Sequence, residues 1–236
     1  MVRALDPPDR PLPRAAKYVW QWKPRSEGSR WWWCRVYHRS PNTPNGNTFR
    51  RFGPLARFDH HHEATPPAVD PTGRRVLYVG ADLATSACEV FGEAGIAAIC
   101  PQYRVSIVEP TRPLTMFNLA RPGAAMQIGA LPALSTGAER RALTQQWARA
   151  VYEDQPAGPT VRGVRYRSAY NDGYALALWD CDDDVRIVRA GGLQDLELAD
   201  PRVFTRLQVA MTDRGINVTT VSEDECAGCR RNALTS

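Results

Sequence analysis

The sequence has no uninterrupted apolar run that approaches the ~18 residues needed for a membrane-spanning helix. Its basic, proline-rich N-terminus is not followed by an apolar stretch, which argues against a signal peptide. There is no Walker-type loop and no Gly-x-Gly-x-x-Gly fingerprint, so a nucleotide would have to be held by side chains and irregular loops. These absences predict a cytoplasmic protein that has no membrane segment.

The residues that are present have the composition of a globular protein, with 43% hydrophobic and 23% charged residues. A length of 236 residues suffices for one domain with its own core, and we expect one domain. Six cysteines without a secretion signal favour free thiols over a disulfide framework. The formal charge of +5 favours an anionic partner, which could be nucleic acid, a phosphate-bearing small molecule or an acidic protein.

Composition divides the chain into three regions. Residues 1–30 are rich in proline and basic residues, and they predict an irregular basic extension. Residues 31–220 carry the strand and helix patterns of a folded domain, with a long loop rich in proline, glycine and asparagine over residues 40–70. Residues 221–236 predict a C-terminal tail.

The clearest strand-to-helix unit spans residues 74–93. Its apolar strand is followed by Asp82, which can cap a helix whose apolar residues recur at helical spacing. The pattern of the whole chain predicts an α/β (α+β) fold with a mixed sheet and flanking helices. Further strands are predicted near residues 31–37, 103–108, 114–119, 163–168, 174–179 and 186–189, and further helices over residues 138–152 and 201–215.

Tyr78 and Glu89 are the first candidates for an active site. The strand delivers Tyr78 near its end and the helix presents Glu89 about two turns in, so both side chains can face one cleft. The alternative is that Tyr78 belongs to the core and Glu89 is a solvated helix charge. Because Glu89 stands between Cys88 and Val90 in an otherwise apolar stretch, we expect its carboxylate near low-dielectric surroundings.

Arginines form a second group of candidates. Arg35 is a lone cation in an aromatic strand, where it either packs along the sheet or binds a phosphate. Arg50, Arg51 and Arg57 alternate with aromatic residues in the long loop, and they either bind phosphates or face solvent.

Taken in order, these residues resemble the RES-domain family, which takes its name from an arginine, a glutamate and a serine. Arg35 lies in Cys-Arg-Val-Tyr, Glu89 in Ser-Ala-Cys-Glu-Val-Phe, and Ser168 in Tyr-Arg-Ser-Ala-Tyr. The resemblance covers residues 32–179 and rests on order and local context. It identifies residues 31–220 as a RES-like catalytic domain.

The resemblance implies an ADP-ribosyltransferase-like fold and an enzyme that degrades NAD. Such an enzyme cleaves the bond between nicotinamide and ribose by hydrolysis or phosphorolysis, so NAD is a substrate, phosphate is a possible co-substrate, and no cofactor or metal is expected. Many family members are toxins paired with Xre-type antitoxins, which makes such an antitoxin a possible partner. A second copy of the chain is another possible partner, in a homo-oligomer.

The resemblance also implies roles for residues at matching positions. Arg35 would hold the NAD phosphates, Tyr78 would pack against the nicotinamide or ribose, and Glu89 would steady the reacting ribose. Ser168 matches the serine of the family name. Loss of nicotinamide creates an oxocarbenium-like ribose, and a nearby carboxylate stabilises such a cation.

Two further residues are expected to bind the substrate. Family members commonly carry Gly-Gly-Arg-Trp in the loop, and the best match here is Leu-Ala-Arg-Phe, in which Arg57 keeps the cation. Some relatives place a functional serine at the start of the helix before the serine strand, where this chain has Thr144.

Histidines and the C-terminal cysteines raise the question of a metal. Residues 60–62 are three consecutive histidines, which cannot all point to one ion, so we interpret them as a solvated loop or an aid to phosphate binding. Cys226 and Cys229 have the spacing of half a zinc knuckle, but a second Cys or His pair is missing nearby in the sequence. We therefore expect no structural zinc.

Two alternatives to the enzyme remain open. The positive charge and the tryptophans interleaved with lysines near the N-terminus are also compatible with a nucleic-acid-binding module. The other alternative is a catalytically silent RES-like protein that acts as a binding partner.

Overall fold

Strands come from all parts of the chain. The computed structural model describes residues 4–29, 32–137, 139–188 and 195–233. The strands, in chain order, are β1 (Val19–Trp22), β2 (Cys34–His38), β3 (Phe52–Gly53), β4 (Ala68–Val69), β5 (Val76–Gly80), β6 (Ile96–Ile99), β7 (Tyr103–Pro110), β8 (Leu114–Asn118), β9 (Val161–Arg167), β10 (Tyr174–Trp179), β11 (Val185–Ile187), β12 (Leu196–Glu197) and β13 (Asn217–Thr220). The α-helices are α1 (Leu83–Phe91), α2 (Ala124–Gln127), α3 (Ala133–Thr136), α4 (Arg141–Asp154), α5 (Pro201–Thr212) and α6 (Ala227–Ala233).

Most of the strands form one mixed sheet of nine strands. Its order is β1-β8-β9-β10-β5-β2-β7-β11, and β12 also pairs with β7. β8 and β9 run parallel, whereas the other neighbours in this sheet are antiparallel. Two small sheets, the parallel pair β6–β13 and the antiparallel pair β3–β4, complete the architecture. The predicted α/β class with a mixed sheet and flanking helices is confirmed.

The central strand β10 is buried on both faces of the sheet. Ala175 and Ala177 face a core that contains α4 and the N-terminal segment, whereas Leu176 and Leu178 face a second core that contains Trp22. A third core lies between α1, α5 and the β6–β13 pair. Because side chains alternate along a strand, an apolar residue at each of these positions is needed to bury both faces.

Helix α1 starts directly against the end of β5. A Cβ atom at Gly80 would lie 2.5 Å from the backbone nitrogen of Ser86, so only glycine allows this approach of helix and strand. Asp82 caps the helix as predicted, because its Oδ1 accepts a hydrogen bond from the backbone N–H of Thr85 at 2.7 Å. The strand, the cap and the close packing together determine where Glu89 projects from the helix.

Replacing Asp82 by Ala should lower the free energy of unfolding by about 1 kcal/mol, because the Thr85 N–H loses its side-chain acceptor. Urea unfolding followed by circular dichroism measures this change. Asp82→Asn keeps an acceptor oxygen and serves as the matched control, with most of the stability retained. Equal stability of the wild type and Asp82→Ala would contradict the capping role.

The N-terminal region needs a correction, because the irregular extension predicted over residues 1–30 contains a strand. Val19–Trp22 forms β1, which pairs with β8 at the edge of the main sheet. Leu5 and Leu12 are buried in the core that also contains α4. A strand of four residues is too short to produce a clear alternating pattern, and this is why the sequence did not reveal it.

The C-terminal region also contains more structure than the predicted tail. It includes α6, and the preceding strand β13 pairs with β6, a partner more than a hundred residues earlier in the chain. Parts of three predicted elements, Trp31, Ala138 and Arg189, lie outside the described residues. Within the described ranges, no helix has both the length and the apolar character that a bilayer crossing requires.

Candidate active site

A cavity of about 300 Å³ lies where β5, α1 and β9 meet the long loop before β5. This volume is at the lower end of the range for small-molecule sites. The uncharged part of the wall comes from the loop, the end of β5, Val36 of β2, and Ser86 and Val90 of α1. The charged and phenolic side chains that line the cavity are Arg50, Arg57, Tyr78, Glu89, Arg141, Tyr166 and Tyr170.

Glu89 is oriented by a hydrogen bond across the cavity wall. The Tyr166 hydroxyl donates to Glu89 Oε2 at 2.8 Å. Burial, together with the Glu89 carboxylate, raises the pKa of Tyr166 well above its ordinary value, so the phenol remains a donor at neutral pH. The other carboxylate oxygen, Glu89 Oε1, is buried and has no hydrogen-bond partner among the described residues. Glu89 is therefore held through one carboxylate oxygen, and the hydrogen-bonding capacity of the other is unused among the described residues.

The long loop before β5 holds the hydroxyl of Tyr78, another residue of the cavity wall. Its hydroxyl donates to Asp59 Oδ1 at 2.8 Å and accepts from the backbone N–H of Phe58 at 2.9 Å. Burial, followed by the nearby Asp59 charge, raises the pKa of Tyr78 well above its ordinary value. The ring therefore lines the cavity as a neutral aromatic surface.

Asp59 connects Tyr78 to the arginine of the cavity wall. It is fully buried, and both of its oxygens accept from Arg50 Nη2, at 2.8 and 2.7 Å. Asp59 Oδ2 also accepts from the backbone N–H groups of Leu55 and Ala56. Burial alone would raise the pKa of Asp59, but Arg50 and these two N–H groups outweigh it and the pKa is lowered. The ionised Asp59 carboxylate thus stabilises the conformation of the loop, because Arg50, Leu55 and Ala56 of that loop all donate hydrogen bonds to it.

The charge of the cavity favours an anionic ligand. Three arginines, Arg50, Arg57 and Arg141, line it, whereas Glu89 is the one carboxylate among its described lining residues. Arg57 donates to the Leu134 carbonyl at 3.2 Å, while its buried Nε has no partner among the described residues. Guanidinium groups bind phosphate oxygens strongly, so this wall suits a phosphorylated molecule.

A family model described as the RES domain matches residues 12–201 of the chain. The chain belongs to the RES-domain family. The family resemblance noted in the sequence is thereby confirmed, and the mixed α/β architecture is consistent with an ADP-ribosyltransferase-like RES fold. The chain is also similar to a solved structure from M. tuberculosis, the MbcT-MbcA toxin-antitoxin complex, with 18% sequence identity and a TM-score of 0.47. That similarity covers 75% of this chain and 88% of the other. A search of curated proteins found no match.

The cavity of this RES domain brings together three of the residues predicted from the sequence, Glu89, Tyr78 and Arg57. Arg35 does not line it. Side chains alternate along β2, and because Val36 faces the cavity, Arg35 lies on the other side. There Arg35 Nη1 donates to the carbonyl of Thr48 at 2.6 Å. Burial lowers the pKa of the Arg35 guanidinium to about 10, so it stays charged at neutral pH.

Arg35 thus lies where it positions the loop that carries Arg50, and not where it contacts a molecule in the cavity. Its predicted contact with the substrate phosphates stays a prediction.

Ser168 and Thr144 do not line the cavity either. Ser168 is buried just after β9, where its Oγ accepts from the Tyr170 N–H at 3.3 Å and its backbone N–H donates to the Gly173 carbonyl. Thr144 is buried in the first turn of α4 and donates to the Arg141 carbonyl at 3.0 Å. Each hydrogen-bonds to the backbone of a residue that does line the cavity, Tyr170 or Arg141, and the roles predicted for Ser168 and Thr144 stay predictions.

Sequence reasoning missed Tyr166, Tyr170 and Arg141 as site residues, and it left the role of Arg50 open. Tyr166 lies in β9, two positions before Ser168, which directly follows the strand. Arg50 was one of three loop arginines, and the buried partner Asp59 that distinguishes it is nine residues further along the chain. Neither signal identifies a cavity residue until the fold shows which face is lined.

The interpretation of the three histidines needs a correction. His60 and His61 are buried, not solvated. His60 Nε2 lies 3.1 Å from Asp180 Oδ2, and the His60 ring packs against those of Tyr152 and Trp179. The nearby apolar rings that exclude water come from distant segments, so the histidine run by itself could not show the burial.

The C-terminal cysteines, for which the sequence shows no second ligand pair nearby, have different neighbours in the fold. Cys226 and Cys229 do have a second pair of potential ligands nearby, because the fold brings His38 and Cys100 to them. His38 is the last residue of β2 and Cys100 directly follows β6. These partners lie more than a hundred residues away in the sequence, where a local spacing search does not find them.

Proposed function

We propose that this RES domain degrades NAD by cleaving the bond between nicotinamide and ribose. The observation that carries the proposal is Glu89, which lines the cavity together with three arginines. Tyr166 holds one of its carboxylate oxygens, and the other has no hydrogen-bond partner among the described residues. NAD combines an anionic pyrophosphate with a cationic nicotinamide ribose. A site for NAD therefore needs arginines for the pyrophosphate and a carboxylate for the ribose.

In the proposed reaction, the bond from ribose C1 to the nicotinamide ring nitrogen breaks and its electron pair stays on nitrogen. The pyridinium becomes neutral nicotinamide, and no general acid is required. Positive charge develops on the ribose, and Glu89 stabilises it electrostatically or by binding the adjacent hydroxyl. The low-dielectric surroundings of the Glu89 carboxylate strengthen that attraction.

The remaining cavity residues position the substrate. In this proposal Arg50, Arg57 and Arg141 of the cavity wall bind the pyrophosphate, and nicotinamide or ribose packs against the rings of Tyr78 and Tyr170. A bond then forms between ribose C1 and an oxygen of the acceptor. Water gives ADP-ribose and releases a proton, whereas inorganic phosphate gives ADP-ribose phosphorylated at that carbon.

Purified protein incubated with NAD should release nicotinamide, which liquid chromatography with mass spectrometry detects. Reactions with and without inorganic phosphate distinguish the acceptor: a phosphate-dependent rate with phosphorylated ADP-ribose identifies a phosphorylase, and ADP-ribose alone identifies a glycohydrolase. NAD that stays intact in both reactions contradicts the proposed activity. Binding of NAD without turnover would instead indicate the catalytically silent alternative.

We also infer, from family membership, that the chain is the toxin of a toxin–antitoxin pair. Xre-type antitoxins are small helix-turn-helix proteins. Expression of the chain alone should then arrest growth, and co-expression of a helix-turn-helix protein encoded beside it should restore growth. Normal growth with full intracellular NAD in cells that express the chain alone would contradict this inference.

A further inference from the structure

A cluster of one histidine and three cysteines lies outside the cavity that holds Glu89. Its members are His38, Cys100, Cys226 and Cys229, and their potential ligand atoms all lie within 4.8 Å of one another. Cys100 and Cys226 are buried, whereas His38 and Cys229 are half-buried. Among the described residues this is the one such group of His, Cys, Asp and Glu.

The distances within the cluster match those of ligands around a single zinc ion. Bonds of about 2.3 Å to sulfur and about 2.0 Å to nitrogen in a tetrahedron place sulfur and nitrogen about 3.6 Å apart, and two sulfurs about 3.8 Å apart. His38 Nε2 lies 3.3 Å from Cys229 Sγ, 3.5 Å from Cys100 Sγ and 3.7 Å from Cys226 Sγ. The sulfurs of Cys100 and Cys229 are 3.6 Å apart.

The backbone around the cluster keeps the ligands close. Cys226 directly precedes α6 and Cys229 lies in its first turn, where the Arg230 N–H donates to the Cys226 carbonyl at 3.1 Å. A Cβ atom at Gly228 would lie 2.7 Å from Cδ2 of the His38 ring, so glycine is needed for the cysteine pair to approach the imidazole. This close approach brings both sulfurs within reach of His38.

We propose that His38, Cys100, Cys226 and Cys229 hold a structural Zn²⁺ ion. Three thiolates and one imidazole in a tetrahedral arrangement are a preferred ligand set for this ion, and four protein ligands leave no open coordination position, as in structural sites. A disulfide does not account for the cluster, because the 3.6 Å between the Cys100 and Cys229 sulfurs far exceeds an S–S bond of about 2.05 Å.

The proposed ion joins three parts of the chain that are distant in sequence. His38 and Cys226 are 188 residues apart, and the Val221 N–H donates to the Ile99 carbonyl just before Cys100. The ion would therefore anchor the C-terminal helix to the ends of β2 and β6. Because Val36 of β2 lines the Glu89 cavity, the same anchor also holds the strand that forms part of the cavity wall.

Metal analysis of the full chain tests the proposal. The protein is purified through a tag without histidine and without chelators, and zinc is measured by plasma mass spectrometry. We expect about one zinc per chain. Replacing zinc by cobalt should produce the visible absorption of a tetrahedral, thiolate-bound Co²⁺, and removing the metal with a chelator should lower the thermal midpoint until zinc is added back.

The double variant Cys226→Ser, Cys229→Ser should lose the zinc, whereas Cys181→Ala, which removes a buried thiol from the second core, should keep it. If the double variant does not fold, the wild-type measurements decide by themselves. Wild-type protein without zinc after expression in zinc-supplemented medium overturns the proposal. So does a double variant that keeps the full zinc content, or fresh wild type in which these two cysteines form a disulfide.

Discussion

Replacing Glu89 by Gln should lower kcat for NAD cleavage by about 10²- to 10³-fold and change KM little. Gln keeps the size of the side chain and an oxygen that can accept from Tyr166, but it removes the negative charge that faces the developing ribose cation. Because this charge acts mainly in the transition state, its loss appears in kcat. Initial rates of nicotinamide release over a range of NAD concentrations measure both constants.

Glu63→Gln is the matched control for this experiment. Glu63 is 74% exposed and pairs with Arg149 on the surface, away from the cavity. Loss of the Glu63 charge should leave kcat unchanged, because the exposed ion pair with Arg149 contributes little to stability and does not touch the cavity. A Glu89→Gln enzyme as fast as the wild type would show that another group stabilises the reacting ribose.

Replacing Asp59 by Asn should lower the free energy of unfolding at pH 7 by about 3 to 5 kcal/mol, because Arg50 loses its buried counter-charge. The same change should weaken NAD binding, since Asp59 also holds Tyr78 and the loop N–H groups of Leu55 and Ala56. Urea unfolding measures the stability, and KM measures the effect on the substrate site.

The pH dependence of this difference provides a second, independent check. The pKa of Asp59 is lowered in the folded state, so the stability that its charge contributes is present above the unfolded pKa of about 3.9 and is lost as the pH falls. The gap in unfolding free energy between the wild type and Asp59→Asn should therefore stay constant from neutral pH down to about pH 4 and narrow as the pH falls further, towards pH ~2. Asp183→Asn, which changes an exposed carboxylate, should show no comparable gap. A constant gap across this range would contradict the assignment of the lowered pKa to Asp59.

The local patterns of the sequence were sufficient for several elements. The apolar strand, the Asp82 cap and the helix that presents Glu89 follow one another within twenty residues, and each interaction joins close neighbours. The hairpin of β9 and β10 was predictable for the same reason. Local propensity and turn chemistry decide such units, and tertiary packing only completes them.

The sequence by itself thus determined the family, the mixed α/β class and the strand-to-helix unit that carries Tyr78 and Glu89. Tertiary structure alone decided that Tyr166 orients Glu89 and that Arg35 faces away from the cavity, because a shift of one residue along a strand reverses the face of a side chain. It also decided that His38 and Cys100 meet the C-terminal cysteines. Such contacts join residues far apart in the chain, and their distances depend on the path of the whole backbone, which no local pattern specifies.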